Sequence, residues 1–135
     1  MSESTPMAGN VLLDTNVVIA LFAGDRAVLR RKRTSERVFV PATVIGELAY
    51  GALKSTQAHT NLAKIGELVN SSVVLPCDTA TAHHYGEVKS QLHKSGQLLP
   101  DNDLWIAALA LQHHLTLITR DGHFARIEGL SVEAW

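Results

Sequence analysis

Short apolar segments alternate along this chain with longer segments of helical character, and this alternation constrains the fold more than any other feature. The short segments have three to six residues each, which suits buried strands better than helices. Strands that alternate with helices predict an α/β fold, a sandwich in which helices flank a mostly parallel central sheet. The predicted strands are Val11–Leu13, Val38–Val40, Val73–Leu75, Leu115–Thr119 and an edge strand within Leu130–Trp135.

Turn-forming and capping residues bound the predicted helices. A chain of 135 residues is the size of one domain, which we expect to span residues 11–135. The polar residues 1–10 are expected to form a flexible N-terminal extension. The predicted helices are Asn16–Phe22, Arg26–Arg37, Ala42–Lys54, Ala58–Asn70, a long helix capped by Asp78 and Thr79 and ending at Lys94, and Leu104–His114.

The charge, the cysteine content and the apolar runs of the chain limit the classes of protein to which it can belong. The formal net charge of −1 argues against wholesale wrapping of nucleic acid, although a local basic patch is compatible with it. Cys77 is the single cysteine, so no internal disulfide can form and a reducing compartment is expected. No secretory signal pattern begins the chain, and the longest apolar runs are too short to cross a bilayer. These features predict a cytoplasmic protein that is not embedded in a membrane.

Four acidic residues lie at the edges of apolar segments, and their positions indicate chemistry. In an open parallel sheet, ligands bind at the carboxyl ends of the strands. Asp14 and Asp121 follow predicted strands, Asp103 opens a helix that leads back to a strand, and Glu47 lies about one turn into another helix. Carboxylates that converge repel one another, and a divalent cation relieves that repulsion. The sequence therefore predicts a metal-dependent enzyme that acts on a phosphate-bearing substrate.

Each acid also has a purely structural interpretation. Asp14 can cap the following helix, and Asp101 competes with Asp103 as a helix cap. Asp121 belongs to an Asp-Gly pair, a common turn dipeptide. A glutamate on a helix surface, such as Glu47, is usually only solvated. The joint placement of the acids, rather than any single residue, carries the prediction.

A basic segment follows the first predicted helix, and it has two interpretations. Residues 26–37 contain half of the Lys and Arg residues of the chain. They form either a phosphate-steering face beside the acids or a solvated helix face, in which Asp25 and Glu36 dilute the positive charge. The candidate RNA-binding residues are Arg26, Arg30, Arg31, Lys32 and Arg33.

Other motifs contribute little. The chain has no glycine-rich phosphate loop, no standard zinc-ligand spacing and no serine-nucleophile elbow. The seven histidines show no ligand spacing, and His123 is not expected to face the site although it closely follows Asp121. Tyr50 and Trp105 can stack on a base, but packing in a core or an interface is the simpler expectation.

Four sequence blocks resemble those of the PIN-domain ribonucleases, and more narrowly the VapC toxins of bacterial type II toxin–antitoxin systems. The blocks are LLDTNVVIALF, PATVIGELAYGALKS, PDNDLWIAALAL and TLITRDGHFARIEGLSVEAW. The resemblance implies a PIN-like three-layer sandwich. The acidic set of the family falls on Asp14, Glu47, Asp103 and Asp121, of which Asp14 and Asp103 would hold the main metal. It also places Asn16 and Thr119 as supporting polar residues, and it leaves the basic segment unassigned.

The leading hypothesis is an Mg²⁺- or Mn²⁺-dependent endoribonuclease. The resemblance implies an RNA substrate (loops of tRNA or rRNA), a VapB-type antitoxin partner and a homodimer. One alternative is a non-catalytic RNA- or protein-binding module with the same fold. Another is a phosphatase of the haloacid dehalogenase type, but such enzymes have a second Asp where this chain has Asn16.

Overall fold

A computed structural model describes residues 9–135, and the prediction of an α/β sandwich with a parallel sheet is confirmed. Within these residues the chain forms five strands and six α-helices. In chain order they are β1 (Asn10–Leu13), α1 (Thr15–Phe22), α2 (Arg26–Thr34), β2 (Arg37–Pro41), α3 (Ala42–Leu53), α4 (Ala58–Asn70), β3 (Val73–Leu75), α5 (Thr79–Lys94), α6 (Asp101–Gln112), β4 (Thr116–Ile118) and β5 (Val132–Glu133), with a 3₁₀ helix at Gly122–Arg126 before β5.

The strands lie in the order β3-β2-β1-β4-β5, and every pair of neighbours is parallel. β1 therefore occupies the centre of the sheet, and β5 is an edge strand as the sequence predicted. In register, Leu12 of β1 lies between Phe39 of β2 and Leu117 of β4. Helices connect the strands because parallel neighbours need crossover connections.

Several predicted boundaries were wrong by one to three residues, among them those of β1, α2 and α6. β1 begins at Asn10, inside the expected N-terminal extension, of which residues 1–8 lie outside the described part of the chain. α2 ends at Thr34 rather than at Arg37, because Ser35 caps it in an extended conformation and Arg37 already pairs with β1. α6 begins at Asp101 rather than at Leu104, since the backbone carbonyl of Pro100 accepts the first helical hydrogen bond.

The core lies on both faces of the central strands. Leu12, Leu13, Leu117 and Ile118 are completely buried, which accounts for the uninterrupted apolar sequence of β1 and β4. α6 contributes a nearly continuous run of buried residues, so its apolar character on several sides reflects burial. At roughly 25 cal/mol for each Å² of apolar surface buried, this core is the main source of stability. It provides a rigid support for the residues at the carboxyl edge of the sheet.

Candidate active site

Asp14 follows β1 directly and lies at the carboxyl edge of the sheet. Its backbone N–H donates to the carbonyl of Ile118, which keeps the residue in line with β4. Only 5% of its surface is exposed. The carboxylate accepts a hydrogen bond from the Thr15 backbone at Oδ1, 2.8 Å long, and one from the Thr119 hydroxyl at Oδ2, 2.7 Å long. Asp14 thus caps α1, as its structural interpretation predicted, and also presents a buried carboxylate at the sheet edge.

Thr119 organises the polar groups around Asp14. Its hydroxyl donates to Asp14 and accepts hydrogen bonds from the Asp121 backbone N–H at 3.0 Å and from the Asn16 amide at 3.5 Å. The side-chain oxygen of Asn16 in turn accepts the backbone N–H of Arg120 at 3.2 Å. The two residues chosen from the sequence as supporting polar groups therefore connect the end of β1 with the end of β4.

Glu47 reaches the same edge from α3. Its Oε1 accepts a hydrogen bond from the Thr15 hydroxyl, 2.9 Å long. Because the backbone N–H of Thr15 also donates to Asp14, Thr15 links the two acids. The sequence places Gly46 and Gly51 near Glu47, and these glycines indicate a packing or access requirement. A Cβ atom added at either glycine would meet nothing within 4 Å, so close packing does not explain them. This side of α3 is open instead.

Asp103 lies in the first turn of α6 and is electrostatically coupled to the other acids. Partial burial, followed by the charges of Asp14 and Asp121, raises the pKa of Asp103 to about 6. Glu47 adds to the increase, and His123 opposes it. The charges of Asp14, Asp121 and Glu47 all act on Asp103, so these four acids (the acidic rim) are near enough to interact electrostatically.

The pKa of Asp14 is also raised, chiefly because the carboxyl group is desolvated by burial. The hydrogen bonds from Thr119 and Thr15 lower it, because they favour the charged form. The charges of Asp121 and Glu47 raise it again. The raised pKa values mean that Asp14 and Asp103 are costly to ionise without a compensating cation.

Asp121 occupies the turn that the sequence predicted, where it caps the 3₁₀ helix. The expectation that His123 would not face the site was wrong. Nδ1 of His123 lies 2.8 Å from Oδ1 of Asp121, and His123 influences the pKa of Asp103. The sequence signal for this contact is weak, because it consists only of a histidine two residues after an acid and not of a spacing typical of metal ligands.

Asp101, the competitor of Asp103, has a structural role. It accepts a hydrogen bond from Tyr85 at 2.8 Å and pairs with Lys89 at 3.5 Å. The ring of Tyr85 stacks on Trp105 with 4.2 Å between centroids, so Trp105 packs against α5. Tyr50, by contrast, is 67% exposed on α3 and is not a core residue.

The basic segment forms α2, and part of its charge is already paired. Arg31 forms an ion pair with Glu133 and lies over the ring of Trp135. The ammonium group of Lys32 lies 3.4 Å from the Ser71 hydroxyl. Ser71 lies just before β3, so this contact places Lys32 towards the amino edge of the sheet. Lys32 and Arg33 line a groove with Lys64. The structure therefore brings the acids together but does not direct Lys32 at them.

The donor set suits a hard divalent cation, because it consists of carboxylate oxygens whose mutual repulsion such an ion would offset. Among residues 9–135, no three His, Cys, Asp or Glu side chains are close enough together to enclose a metal ion. Mg²⁺ normally keeps several waters and binds through one or two carboxylates, so an open set of this kind fits it. Of the four acids, Asp14 and Asp103 have raised pKa values, so a bound cation would stabilise the charged forms of these two most.

A parallel α/β sandwich with a carboxylate cluster at its carboxyl edge defines a class of candidate phosphate-ester hydrolases. Residues 11–130 match the PIN domain family, and the chain belongs to that family. It is 32% identical over 127 residues to Ribonuclease VapC2 of Haemophilus influenzae, across 92% of this chain and 96% of that protein.

Two further relatives agree with this assignment. The tRNA(fMet)-specific endonuclease VapC of Shigella flexneri is also 32% identical over 127 residues, again with 92% of this chain and 96% of the relative covered. The structure of DNA-bound VapBC from Salmonella typhimurium matches with a TM-score of 0.87 and 29% identity, over 93% of this chain and 98% of that chain. No helix within residues 9–135 has the length and apolarity needed to span a membrane.

Proposed function

We propose that this protein is a divalent-metal-dependent endoribonuclease and the toxin of a toxin–antitoxin pair. The observation that supports this proposal is the electrostatic interaction among four acids. Asp14 follows a strand, and the other three acids lie in or directly before helical segments. The relatives named as VapC ribonucleases support the reaction class. We propose also that residues 11–135 form one PIN-like domain and that the protein acts in the cytoplasm.

In this proposal Asp14 and Asp103 bind Mg²⁺ or Mn²⁺, and Glu47 and Asp121 complete the cluster or orient the attacking water. When bound, the ion supplies a water of lowered pKa and positive charge that offsets the scissile phosphate. Thr119 orients Asp14 and favours its charged form through a 2.7 Å hydrogen bond. Thr15 holds Glu47, whose carboxylate would otherwise move freely on the open side of α3.

The proposed substrate is RNA, and more narrowly the loops of tRNA or rRNA. The Shigella flexneri relative is named for tRNA(fMet), which supports a structured RNA with exposed bases. The chain has a net charge of −1, so attraction to phosphate must come from a local surface. Arg26, Arg30 and Arg33 on α2 are the candidates for that surface, because Arg31 is already paired with Glu133.

The proposed partners are a VapB-type antitoxin and a second copy of this chain. The antitoxin is supported by the solved VapBC complexes that the chain resembles. A groove between α1, α3 and α4 has a mainly apolar lining that includes Ile19 and Leu48 and reaches Thr15 and Glu47 at the acidic rim. An antitoxin segment in this groove would bring a basic side chain over the acids and displace the cation. Apolar residues make up 46% of this short chain, which also favours an apolar surface that a partner covers.

Calorimetric titration with Mn²⁺ tests the proposal and separates it from a non-catalytic binding module. We expect wild type to bind Mn²⁺ and to cleave RNA, and Asp14→Asn to remain folded while it loses both properties. Asp101→Asn is the matched control, because Asp101 pairs with Lys89 and stays outside the cluster. Mapping of new RNA 5′ ends after induction in cells would identify the substrate. A folded Asp14→Asn protein that cleaves RNA and arrests growth normally would refute the metal-site assignment.

A further inference from the structure

Asp121 is held differently from Asp14. The backbone N–H of His123 donates to Oδ1 of Asp121 at 2.9 Å, and Nδ1 of the same histidine lies 2.8 Å from the same oxygen. Asp14, by contrast, receives its two hydrogen bonds on different oxygens and from different residues. Among residues 9–135, no hydrogen bond reaches Oδ2 of Asp121. One oxygen of Asp121 therefore has two contacts with His123, one hydrogen bond and one close approach of the ring, and the other oxygen accepts no hydrogen bond among these residues.

The local structure fixes the position of His123. It is the second residue of the 3₁₀ helix Gly122–Arg126, and the next residue, Phe124, is completely buried and anchors that helix. The His123 side chain is itself 59% exposed, so it does not fill the core. A carboxylate can only accept hydrogen bonds, so the 2.8 Å contact favours a proton rather than a lone pair on Nδ1. The ring can supply that proton whether it is neutral or charged.

We propose that His123 is a positioning residue for Asp121: the Nδ1–H of its ring holds Oδ1 and thereby turns Oδ2 towards the cation site formed with Asp14 and Asp103. This inference rests on the proposed function, because it assumes that a divalent cation binds at the acidic rim. Its physical basis is general. Groups that hydrogen-bond to a ligating carboxylate fix its orientation, and their loss typically lowers metal affinity about 10- to 100-fold.

Three substitutions at this position distinguish the hydrogen bond from the charge and the volume of the ring. His123→Asn keeps an N–H donor near the position of Nδ1, whereas His123→Gln moves its donor towards the position of Nε2. His123→Ala removes the donor altogether. His84→Ala is the control, because Nδ1 of His84 also lies near a carboxylate, that of Glu87, at 3.8 Å on α5.

The measurement is the Mn²⁺ dissociation constant by calorimetry, with circular dichroism to check folding. We expect His123→Ala and His123→Gln to bind Mn²⁺ at least about 10-fold more weakly than wild type, and His123→Asn to stay close to wild type. His84→Ala should bind as wild type does. Equal affinity for wild type and His123→Ala would overturn the inference, and so would an equal loss in His123→Ala and His123→Asn.

A second measurement keeps this inference separate from the proposed function. The ¹⁵N spectrum of the histidine ring in the metal-free protein, at a pH where the ring is neutral, reports which nitrogen carries the proton. We expect the Nδ1–H form for His123, and the Nε2–H form would overturn the inference. If wild type bound Mn²⁺ and cleaved RNA while His123→Ala was unaffected, only the positioning role would fail. If wild type bound no Mn²⁺, the proposed function and this inference would both fail, whereas the ring spectrum would still test the hydrogen bond.

Discussion

Asp103→Asn is predicted to stabilise the metal-free protein at neutral pH. In the folded chain, partial burial and the charges of Asp14 and Asp121 raise the pKa of Asp103 from 3.8 to about 6. The folded state therefore binds a proton more tightly than the unfolded state does. Between the two pKa values, the free energy of unfolding falls as the pH rises, and the loss is complete above pH 6. An asparagine cannot ionise, so it removes this loss.

The pKa values set an upper limit on the size of the effect. One pKa unit corresponds to about 1.4 kcal/mol, so the difference between 3.8 and about 6 corresponds to about 3 kcal/mol at most. Asp103 is only half-buried, and solvent screens its interactions, so we reduce the expected gain to about 1 kcal/mol. The gain should be present at about pH 7.5 and largely absent at about pH 3, below both pKa values, where both states are mostly protonated.

Urea denaturation with a metal chelator, at the two pH values, measures this effect. Asp101→Asn is the matched control, because it removes a carboxylate from the same turn of α6. A hydrogen bond from Tyr85, followed by the charge of Lys89, lowers the pKa of Asp101, so ionisation of this residue stabilises the fold and its removal should give no gain at neutral pH. If Asp103→Asn showed the same dependence of stability on pH as wild type, the raised pKa of Asp103, which burial and the neighbouring charges cause, would be refuted.

Three further predictions concern the same edge of the sheet and the basic helix. Thr119→Val should lower the free energy of unfolding by roughly 1–3 kcal/mol in urea denaturation, because it leaves the buried Asp14 carboxylate without one donor; no change would contradict this role. Mn²⁺ affinity should rise with pH up to about 6 and then level off, because Asp103 must lose its proton; calorimetry that showed no pH dependence would contradict this. Arg30→Ala should reduce the salt dependence of RNA binding more than Arg31→Ala, and equal slopes in binding titrations would argue against RNA contacts by Arg30.

Much of the fold could be predicted because the local conformational preferences of most segments agree with the elements that they form in the folded chain. β3 and α4 have the predicted bounds, and the Asp78 cap of α5 forms both bonds of a capping box. The largest boundary errors lie at α2 and α6, where boundaries depend on tertiary pairing and on proline. Arg37 continues a helical pattern by composition, but its backbone N–H donates to the carbonyl of Gly9 and so joins the sheet.

The positions of the four acids could be predicted because the carboxyl edge of a parallel sheet is set by topology, and topology follows from the order of elements. The interactions around them could not be predicted in the same way. The contact between His123 and Asp121 depends on the conformation of a short 3₁₀ helix. Likewise, Arg120 joins Asp25 at 2.9 Å and the backbone carbonyl of Trp135 at 3.0 Å, contacts between residues 15 or more positions apart that periodicity does not encode.

Asp14 and Asp103 both have raised pKa values but differ in the hydrogen bonds that they accept, and this contrast bears on the function of the cluster. Asp14, the most buried acid, receives hydrogen bonds on both oxygens, which favour its charged form. Asp103 receives no such hydrogen bond among the described residues, and its pKa rises to about 6. A fold selected only for stability would replace Asp103 with a neutral residue, as stabilising substitutions at active sites often show. Because ionised Asp103 is predicted to reduce stability at neutral pH and yet interacts with three other acids, we infer that the rim is a cation site rather than a structural feature of the sheet edge.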